Sequence, residues 1–157
     1  MTHSGNDQQL AEAVLRTMLA ADAYSRWLGI SVLDVAPGRV GIRMTVRPEM
    51  VNGFGISHGG IVYSLADSAF AFAVNTWGGV TVAVDCTMSY PAAVAVGDVL
   101  VARAVEQSTT RKLAFCEVTV TNQHDVVVGH FRGTAYRTTR EHLLTADGHA
   151  PDSAPTV

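Results

Sequence analysis

One carboxylate in this sequence lies in surroundings that favour chemistry. Asp67 occupies the middle of residues 59–76, a stretch in which most other side chains are apolar. An ionised carboxylate among apolar groups needs a partner or shifts its pKa, and such carboxylates commonly serve as general bases or nucleophiles. Asp67 is therefore a candidate catalytic residue. The structural alternative is a hydrogen bond from Asp67 to Ser64, to Ser68 or to another subunit.

A second chemical feature lies where this helical stretch should begin, at His58, Gly59 and Gly60. The first N–H groups of a helix have no acceptor inside it, so they can polarise a carbonyl or bind an oxyanion, and glycine lets a ligand approach closely. The structural alternatives are that Gly59 and Gly60 only turn the chain and that His58 only forms a hydrogen bond within the loop.

The spacing of the two features predicts a dimer. Gly59 and Asp67 are eight residues apart, which a rise of about 1.5 Å per residue converts to about 12 Å along a helix. One substrate carbonyl cannot contact both groups. If the Gly59 amide polarises that carbonyl and Asp67 serves the attacking water, the groups come from two copies of the chain, which form two equivalent sites.

The hydrophobic pattern predicts the elements that position these residues. Apolar residues at helical spacing indicate a surface helix over residues 8–21, and an almost wholly apolar pattern indicates a buried helix over 59–76. Alternating or β-rich stretches indicate strands at 29–35, 39–47, 80–90, 98–107, 112–122 and 126–137. Short connections favour antiparallel neighbours. We therefore expect an α+β fold in which a curved antiparallel sheet wraps around the buried helix.

Composition restricts the class of protein. With 157 residues and 48% apolar residues, the chain should form a single domain over 1–157, with its core at about 27–137 and a mobile tail at about 138–157. A net charge of -3 without basic runs argues against nucleic-acid binding. We expect no membrane span, since the longest apolar stretch is too short and is interrupted by Asp67.

Two cysteines and the polar N-terminus bear on the compartment. Cys86 and Cys116 lack the spacing of a zinc site and lie in apolar stretches, so we expect free buried thiols. The first residues lack the layout of a signal peptide. Both observations favour a cytoplasmic protein.

Four segments together resemble a known family. Residues 52–75 read NGFGISHGGIVYSLADSAFAFAVN, residues 85–90 read DCTMSY, residues 97–98 read GD and residues 131–137 read FRGTAYR. They are similar to the hotdog-fold thioesterases, and among these to the PaaI type of phenylacetic acid degradation. The resemblance covers roughly residues 27–137, and its long first segment is far more specific than His-Gly-Gly alone.

The resemblance implies a hotdog fold, homodimers that commonly pair into homotetramers, and hydrolysis of acyl-CoA to a free acid and CoA. Asp67 matches the catalytic carboxylate, as general base or nucleophile, and we favour the general base. Gly59 matches the amide that polarises the thioester carbonyl, and Asn52 and His58 match polar loop residues beside it. Phenylacetyl-CoA, hydroxyphenylacetyl-CoA or a medium-chain fatty acyl-CoA is the expected substrate. We expect neither a metal nor a cofactor, because coenzyme A is part of the substrate.

Further residues are candidates for substrate contacts. Gly60, Phe54 and Ser68 lie next to the proposed catalytic groups, and Arg111 with Lys112 offers cations for the phosphates of CoA. An acyl pocket could be lined by four aromatic residues, which are Phe54, Tyr63, Phe70 and Trp77, although aromatic residues in such a helix belong to the core by default.

The chain departs from some related thioesterases on the strand after the central helix. Those enzymes carry a Ser or Thr there that helps to place the water, whereas this chain has Ala83. Strand alternation predicts that Ala83 shares a face with Asp85, Thr87 and Ser89.

Two other functions remain open. An enoyl-CoA hydratase would use the same wrapped helix, but it needs an Asp and a His a few residues apart, whereas His58 and Asp67 are nine apart. A non-catalytic acyl-CoA-binding protein would need an output, such as a DNA-binding segment, and the N-terminal helix has few basic residues.

Overall fold

The computed structural model describes residues 5–143, which form a six-stranded antiparallel sheet with strand order β1-β2-β4-β5-β6-β3. Two helices come first, α1 (Gly5–Ala21) and α2 (Ala23–Leu28), and a third, α3 (Gly59–Asn75), follows the 3₁₀ turn Pro48–Met50. The strands are β1 (Ser31–Ala36), β2 (Arg39–Thr45), β3 (Gly79–Ser89), β4 (Val99–Thr109), β5 (Leu113–Thr121) and β6 (Val127–Glu141). Among these residues, no helix combines the length and the apolar character that crossing a membrane requires.

The sheet wraps around α3, which packs against β2, β3, β4, β5 and β6. Leu65 and Phe72 of α3 are buried, and small residues such as Ala69 let the strands approach closely. The ring of Phe70 lies under Gly133 of β6, where a Cβ would be only 2.7 Å from the ring. This arrangement confirms the predicted α+β hotdog fold.

Helix α2 was not predicted from the sequence. Its N-cap is Asp22, whose carboxylate accepts the Ser25 N–H at 2.9 Å, and Gly29 ends it in the left-handed conformation with φ 76°. An Asp cap and a Gly stop are the ordinary signals of a helix. They were present in the sequence, but six residues are too few for a clear apolar period.

The predicted tail begins too early. Strand β6 continues to Glu141, where Thr138 Oγ1 donates to the carbonyl of Val80 at 2.7 Å and the His142 N–H donates to the carbonyl of Gly78 at 2.9 Å. The prediction of a mobile tail is therefore wrong for residues 138–141, because β3 offers a longer row of partners than the apolar pattern indicated. Residues 144–157 of that prediction lie outside the described residues.

Candidate active site

Asp67 is half-buried on α3, near Cys86 of the edge strand β3. Its carboxylate accepts no hydrogen bond from residues 5–143, and burial raises its pKa. Ser64 Oγ donates instead to the carbonyl of Gly60 at 2.7 Å, and Ser68 Oγ lies 3.4 Å from Ser25 Oγ. The alternative that Ser64 or Ser68 bonds Asp67 is therefore wrong within one chain, and the carboxylate is left for another partner.

Tyr63 and Cys86 flank Asp67 on the β3 side. Tyr63 lies one helical turn before Asp67, packs edge-on against Phe131 with centroids 5.5 Å apart, and donates a hydrogen bond to the Cys86 thiol. Burial and this hydrogen bond raise the pKa of Tyr63 to about 12, and burial also raises the pKa of Cys86. Both groups are thus uncharged at neutral pH, so Asp67 faces neutral neighbours on this side.

The start of α3 leaves one amide free. His58 is the N-cap, and its Nδ1 accepts the Gly60 N–H at 2.9 Å, which requires a neutral imidazole with its proton on Nε2. The carbonyl of His58 accepts the Ile61 N–H at 2.9 Å. The Gly59 N–H has no acceptor among residues 5–143. Gly59 can therefore donate to a ligand.

The free amide lies beside a cavity of about 330 Å³. Gly59 and Asn52 line this cavity together with Val62, Tyr90 and Val94. A Cβ on Gly59 would lie 3.5 Å from Cζ of Tyr90, an ordinary contact distance. The aromatic ring of Tyr90, which sequence reasoning did not assign to the site, therefore forms one wall beside the amide.

The loop before α3 is held by its own hydrogen bonds. Asn52 Oδ1 accepts the Phe54 N–H at 2.9 Å, the Asn52 N–H donates to the carbonyl of Ile56 at 2.8 Å, and Gly55 adopts φ 77°. Val51 and Ser57 pair across its base. Asn52 is thus held in place, whereas Phe54 is 91% exposed at the loop tip and does not line the cavity within one chain.

The predicted site residues fall into separate groups. Asn52, His58 and Gly59 lie together at the start of α3, and Asp67 lies about 12 Å further along the same helix. Arg111 and Lys112 lie in the β4–β5 turn, near the other end of α3, where Lys112 Nζ is 3.3 Å from the Tyr136 hydroxyl. Within one chain, the structure therefore brings the loop residues together but not the cations.

The four aromatic residues predicted to line an acyl pocket do not share one. Phe70 is buried under β6, and Trp77 donates to Glu106 Oε1 at 3.0 Å at the far end of α3. Tyr63 lies beside Asp67. For Phe70 the default interpretation as a core residue is confirmed, whereas Trp77 lies beyond the end of the helix and away from Asp67.

A β-bulge changes the face that Ala83 occupies. The register of β3 against β6 shifts between Ala83 and Asp85, so Val84 is an extra residue. Ala83 pairs with buried Ala135, which places it on the inner face of the sheet, whereas Asp85 faces outwards. The predicted common face for Ala83 and Asp85 is therefore wrong, and no hydroxyl side chain stands at position 83 on the side of α3.

Comparisons with known proteins identify relatives of this chain. The model of the thioesterase superfamily matches residues 54–128, from the loop before α3 to the start of β6. The acyl-coenzyme A thioesterase PaaI of Escherichia coli is 35% identical over 76% of this chain and 86% of that protein. Human acyl-coenzyme A thioesterase 13 is 34% identical over 74% of this chain and 84% of that protein.

Solved structures extend the likeness to three dimensions. The structure of the E. coli PaaI protein from the phenylacetic acid degradation operon superposes with a TM-score of 0.84 at 32% identity. The superposition covers 85% of this chain and 97% of the other. The similarity thus includes the strands and the central helix.

Proposed function

The chain belongs to the thioesterase superfamily, and we propose that it hydrolyses acyl-coenzyme A thioesters to a free acid and coenzyme A. The observation that carries the proposal is Asp67, a half-buried carboxylate that accepts no hydrogen bond from residues 5–143. Partial burial of a carboxylate without a hydrogen-bond donor destabilises the folded chain. A role as the base in hydrolysis explains why such a group is present. The names of the two relatives, both acyl-coenzyme A thioesterases, support this substrate class.

In the proposed reaction, Asp67 acts as general base on a water molecule. The water attacks the thioester carbonyl carbon, Asp67 takes its proton, and the Gly59 N–H stabilises the oxyanion that forms. Collapse of the tetrahedral intermediate breaks the C–S bond, and the CoA thiolate receives the proton from Asp67. Water is the only co-substrate, and the reaction uses no metal or cofactor. If Asp67 were instead a nucleophile, it would displace the CoA thiolate and form a mixed anhydride with the acyl group, and attack of H₂¹⁸O on the aspartyl carbonyl in a single turnover would label the Asp67 carboxylate.

Two chains would complete each site in this proposal. Gly59 and Asp67 of one chain are too far apart to meet at one carbonyl, as the uninterrupted helix between them fixes their separation. Strand β3 is an edge strand with Val82 and Val84 exposed, which supports pairing with a second copy along this edge. Asp67 of one chain and Gly59 of the partner subunit would then form a site, and symmetry would supply a second.

The remaining features of the site follow the same proposal. Asn52 and His58 hold the loop that presents the Gly59 amide, and Gly60 takes part through its hydrogen bond to His58. Arg111 and Lys112 are exposed and could contact CoA phosphates of a site shared with another chain. Phenylacetyl-CoA or hydroxyphenylacetyl-CoA is the proposed substrate, on the basis of the operon from which the E. coli relative comes.

Assembly and location complete the proposal. We expect a homotetramer of two dimers, since Phe115 and Tyr136 expose apolar surface on the outer face of the sheet. Cytoplasmic location fits Cys86 and Cys116, which are both free thiols. Sedimentation at several protein concentrations would test the tetramer.

The test is a panel of acyl-CoA thioesters with a thiol-detecting readout. Asp67→Asn should fold and bind but lose about 10²–10⁴-fold in kcat. Gly59→Pro puts ring carbons in place of the N–H at the first helical position, where the proline backbone fits, and should lower kcat about 10²–10³-fold. Gly59→Ala is the matched control, because it keeps the N–H and its Cβ has room.

Three results would count against the proposal. Binding without CoA release from any thioester would indicate an acyl-CoA-binding protein, and loss of an enoyl group without CoA release would indicate a hydratase. Near-normal kcat in Asp67→Asn would remove Asp67 from the mechanism.

A further inference from the structure

Helix α2 carries two large aromatic side chains that remain half exposed. Tyr24 is 51% and Trp27 is 50% accessible, and their rings stack with centroids 5.8 Å apart and an interplanar angle of 16°. Neither ring belongs to the core under the sheet. Apolar surface of this kind commonly marks a binding site.

Hydrogen bonds fasten α2 to the segment of α3 that carries Asp67. Ser64 Oγ uses its only proton on the Gly60 carbonyl, so the Tyr24 hydroxyl must be the donor in its 2.9 Å contact with Ser64 Oγ. Ser64 lies three residues before Asp67, a spacing at which Cβ atoms on a helix are about 5–6 Å apart. The Tyr24 hydroxyl is therefore held about one helical turn from the proposed base, and the Trp27 ring stacks on the Tyr24 ring.

A second contact supports the same placement. Ser25 Oγ donates to the Asp22 carboxylate at 2.5 Å, so in its 3.4 Å contact with Ser68 Oγ the proton comes from Ser68. Ser68 follows Asp67 directly. Within one chain Ser68 thus helps to position α2 beside Asp67, and its predicted substrate contact stays a prediction.

The positively charged Arg47 next to this surface already has hydrogen-bond partners within the chain. The Arg47 guanidinium lies 5.2 Å from the Trp27 ring centroid. Its Nε donates to Glu49, and its Nη1 and Nη2 donate to the carbonyls of Leu28 and Trp27. Each nitrogen has a partner within the chain, so this cation supports the aromatic ring and is not an open phosphate site.

The position of the pair identifies the part of the substrate that reaches it. The acyl group is bonded to the carbonyl that reacts at Asp67, whereas the pantetheine arm separates the nucleotide from that carbonyl by many bonds. On the opposite side of Asp67, Tyr63 and Cys86 lie towards the β3 edge, where the second chain is proposed to pair. Tyr24, which bonds Ser64, lies on the other side of Asp67, and the proposed pairing would leave that side to the acyl group.

We propose that Tyr24 and Trp27 form the wall of the acyl-binding site and favour aromatic or medium-chain acyl groups over acetyl. This inference rests on the proposed thioesterase function and assigns its acyl specificity to a helix outside the sheet. The Tyr24 hydroxyl acts as an anchor for α2, and the two rings provide the apolar surface.

Kinetics with two substrates test the inference. Trp27→Ala should lower kcat/KM for phenylacetyl-CoA about 20-fold and that for acetyl-CoA less than about 3-fold, because only the larger acyl group reaches the ring. Trp77→Phe is the matched control, since Trp77 lies at the far end of α3 and its replacement should leave the ratio of the two kcat/KM values unchanged. Equal losses for both substrates in Trp27→Ala would overturn the inference.

A binding measurement covers the case in which Trp27→Ala fails to fold. The chain has two tryptophans, so a variant with Asp67→Asn and Trp77→Phe reports on Trp27 alone. Phenylacetyl-CoA should change the fluorescence of Trp27, and CoA without an acyl group should not. An equal response to both, or no response to either while calorimetry detects phenylacetyl-CoA binding, would refute the inference.

Two other outcomes have distinct meanings. If wild-type protein releases no CoA from any thioester, the proposed function fails, and the inference fails with it. If wild-type protein is active but Trp27→Ala sediments as a smaller species and loses activity on both substrates equally, the aromatic pair belongs to a subunit interface and the inference alone fails.

Discussion

Replacement of Asp67 by asparagine should stabilise the fold while it removes turnover. Asparagine has the same shape, and no hydrogen bond is lost, because the Asp67 carboxylate accepts none from residues 5–143. What disappears is the cost of keeping a negative charge half-buried among apolar groups. We expect a gain of about 1 kcal/mol in the free energy of unfolding at pH 7, a common size for stabilising an active site at the expense of function.

The gain should depend on pH in a defined direction. Burial raises the pKa of Asp67 in the folded chain above its ordinary value of 3.8. A group with a raised folded pKa contributes stability below its unfolded pKa and loses it as the pH rises through the folded pKa. The wild-type chain therefore loses this contribution above about pH 4, whereas Asp67→Asn does not. The difference between the two should be smallest near pH 4 and reach a plateau at neutral pH.

Thermal unfolding across pH 4–8 measures this difference. At pH 7 the variant should melt about 2–4 °C above the wild type. Asp85→Asn is the control, because Asp85 is exposed on the outer face of the sheet and its replacement should give no such gain. A variant that melts below the wild type at pH 7, or a difference that does not change with pH, would show that Asp67 is not a desolvated carboxylate.

Three further predictions concern packing, the start of α3 and the cations. Gly133→Ala should lower the free energy of unfolding by about 1–3 kcal/mol, because its Cβ would lie 2.7 Å from the Phe70 ring. An unchanged midpoint of urea unfolding would contradict this close packing. His58→Ala should lower the free energy of unfolding by about 1 kcal/mol, and His58→Asn by much less, since asparagine is also a good N-cap. Equal decreases in melting temperature for the two variants would argue against capping by His58. Neutralising Arg111 and Lys112 should raise KM for acyl-CoA several-fold at low salt and leave KM for an acyl-pantetheine thioester unchanged, whereas equal effects on both would exclude phosphate contacts.

Sequence patterns were sufficient to predict the central helix and the strands around it. The apolar helix with one carboxylate could be recognised because a long helix that is apolar on all sides must be buried, and Asp67 is the exception in it. Strand positions followed from alternation, with ends displaced by a few residues. The free amide of Gly59 followed from the position of the Gly-Gly pair at the helix start, whereas the cap by His58 was not predicted.

Other features depend on tertiary contacts that no local pattern encodes. The bulge at Val84 exists only in the register between β3 and β6, and it reverses the face of Ala83. The placement of α2 beside Asp67 depends on a hydrogen bond between Tyr24 and Ser64, which are 40 residues apart. Sequence reasoning therefore located the proposed base but not the surface beside it.

The central claim, that each site takes Asp67 from one chain and Gly59 from the other, can be tested by mixing inactive variants. Asp67→Asn chains retain the Gly59 amide, and Gly59→Pro chains retain the Asp67 carboxylate. After equal amounts are mixed and allowed to exchange subunits, half of the dimers should be mixed, and each mixed dimer should contain one intact site. We predict recovery of about one quarter of wild-type CoA release. No recovery above the two parent variants, with exchange verified by mass spectrometry, would contradict the shared site.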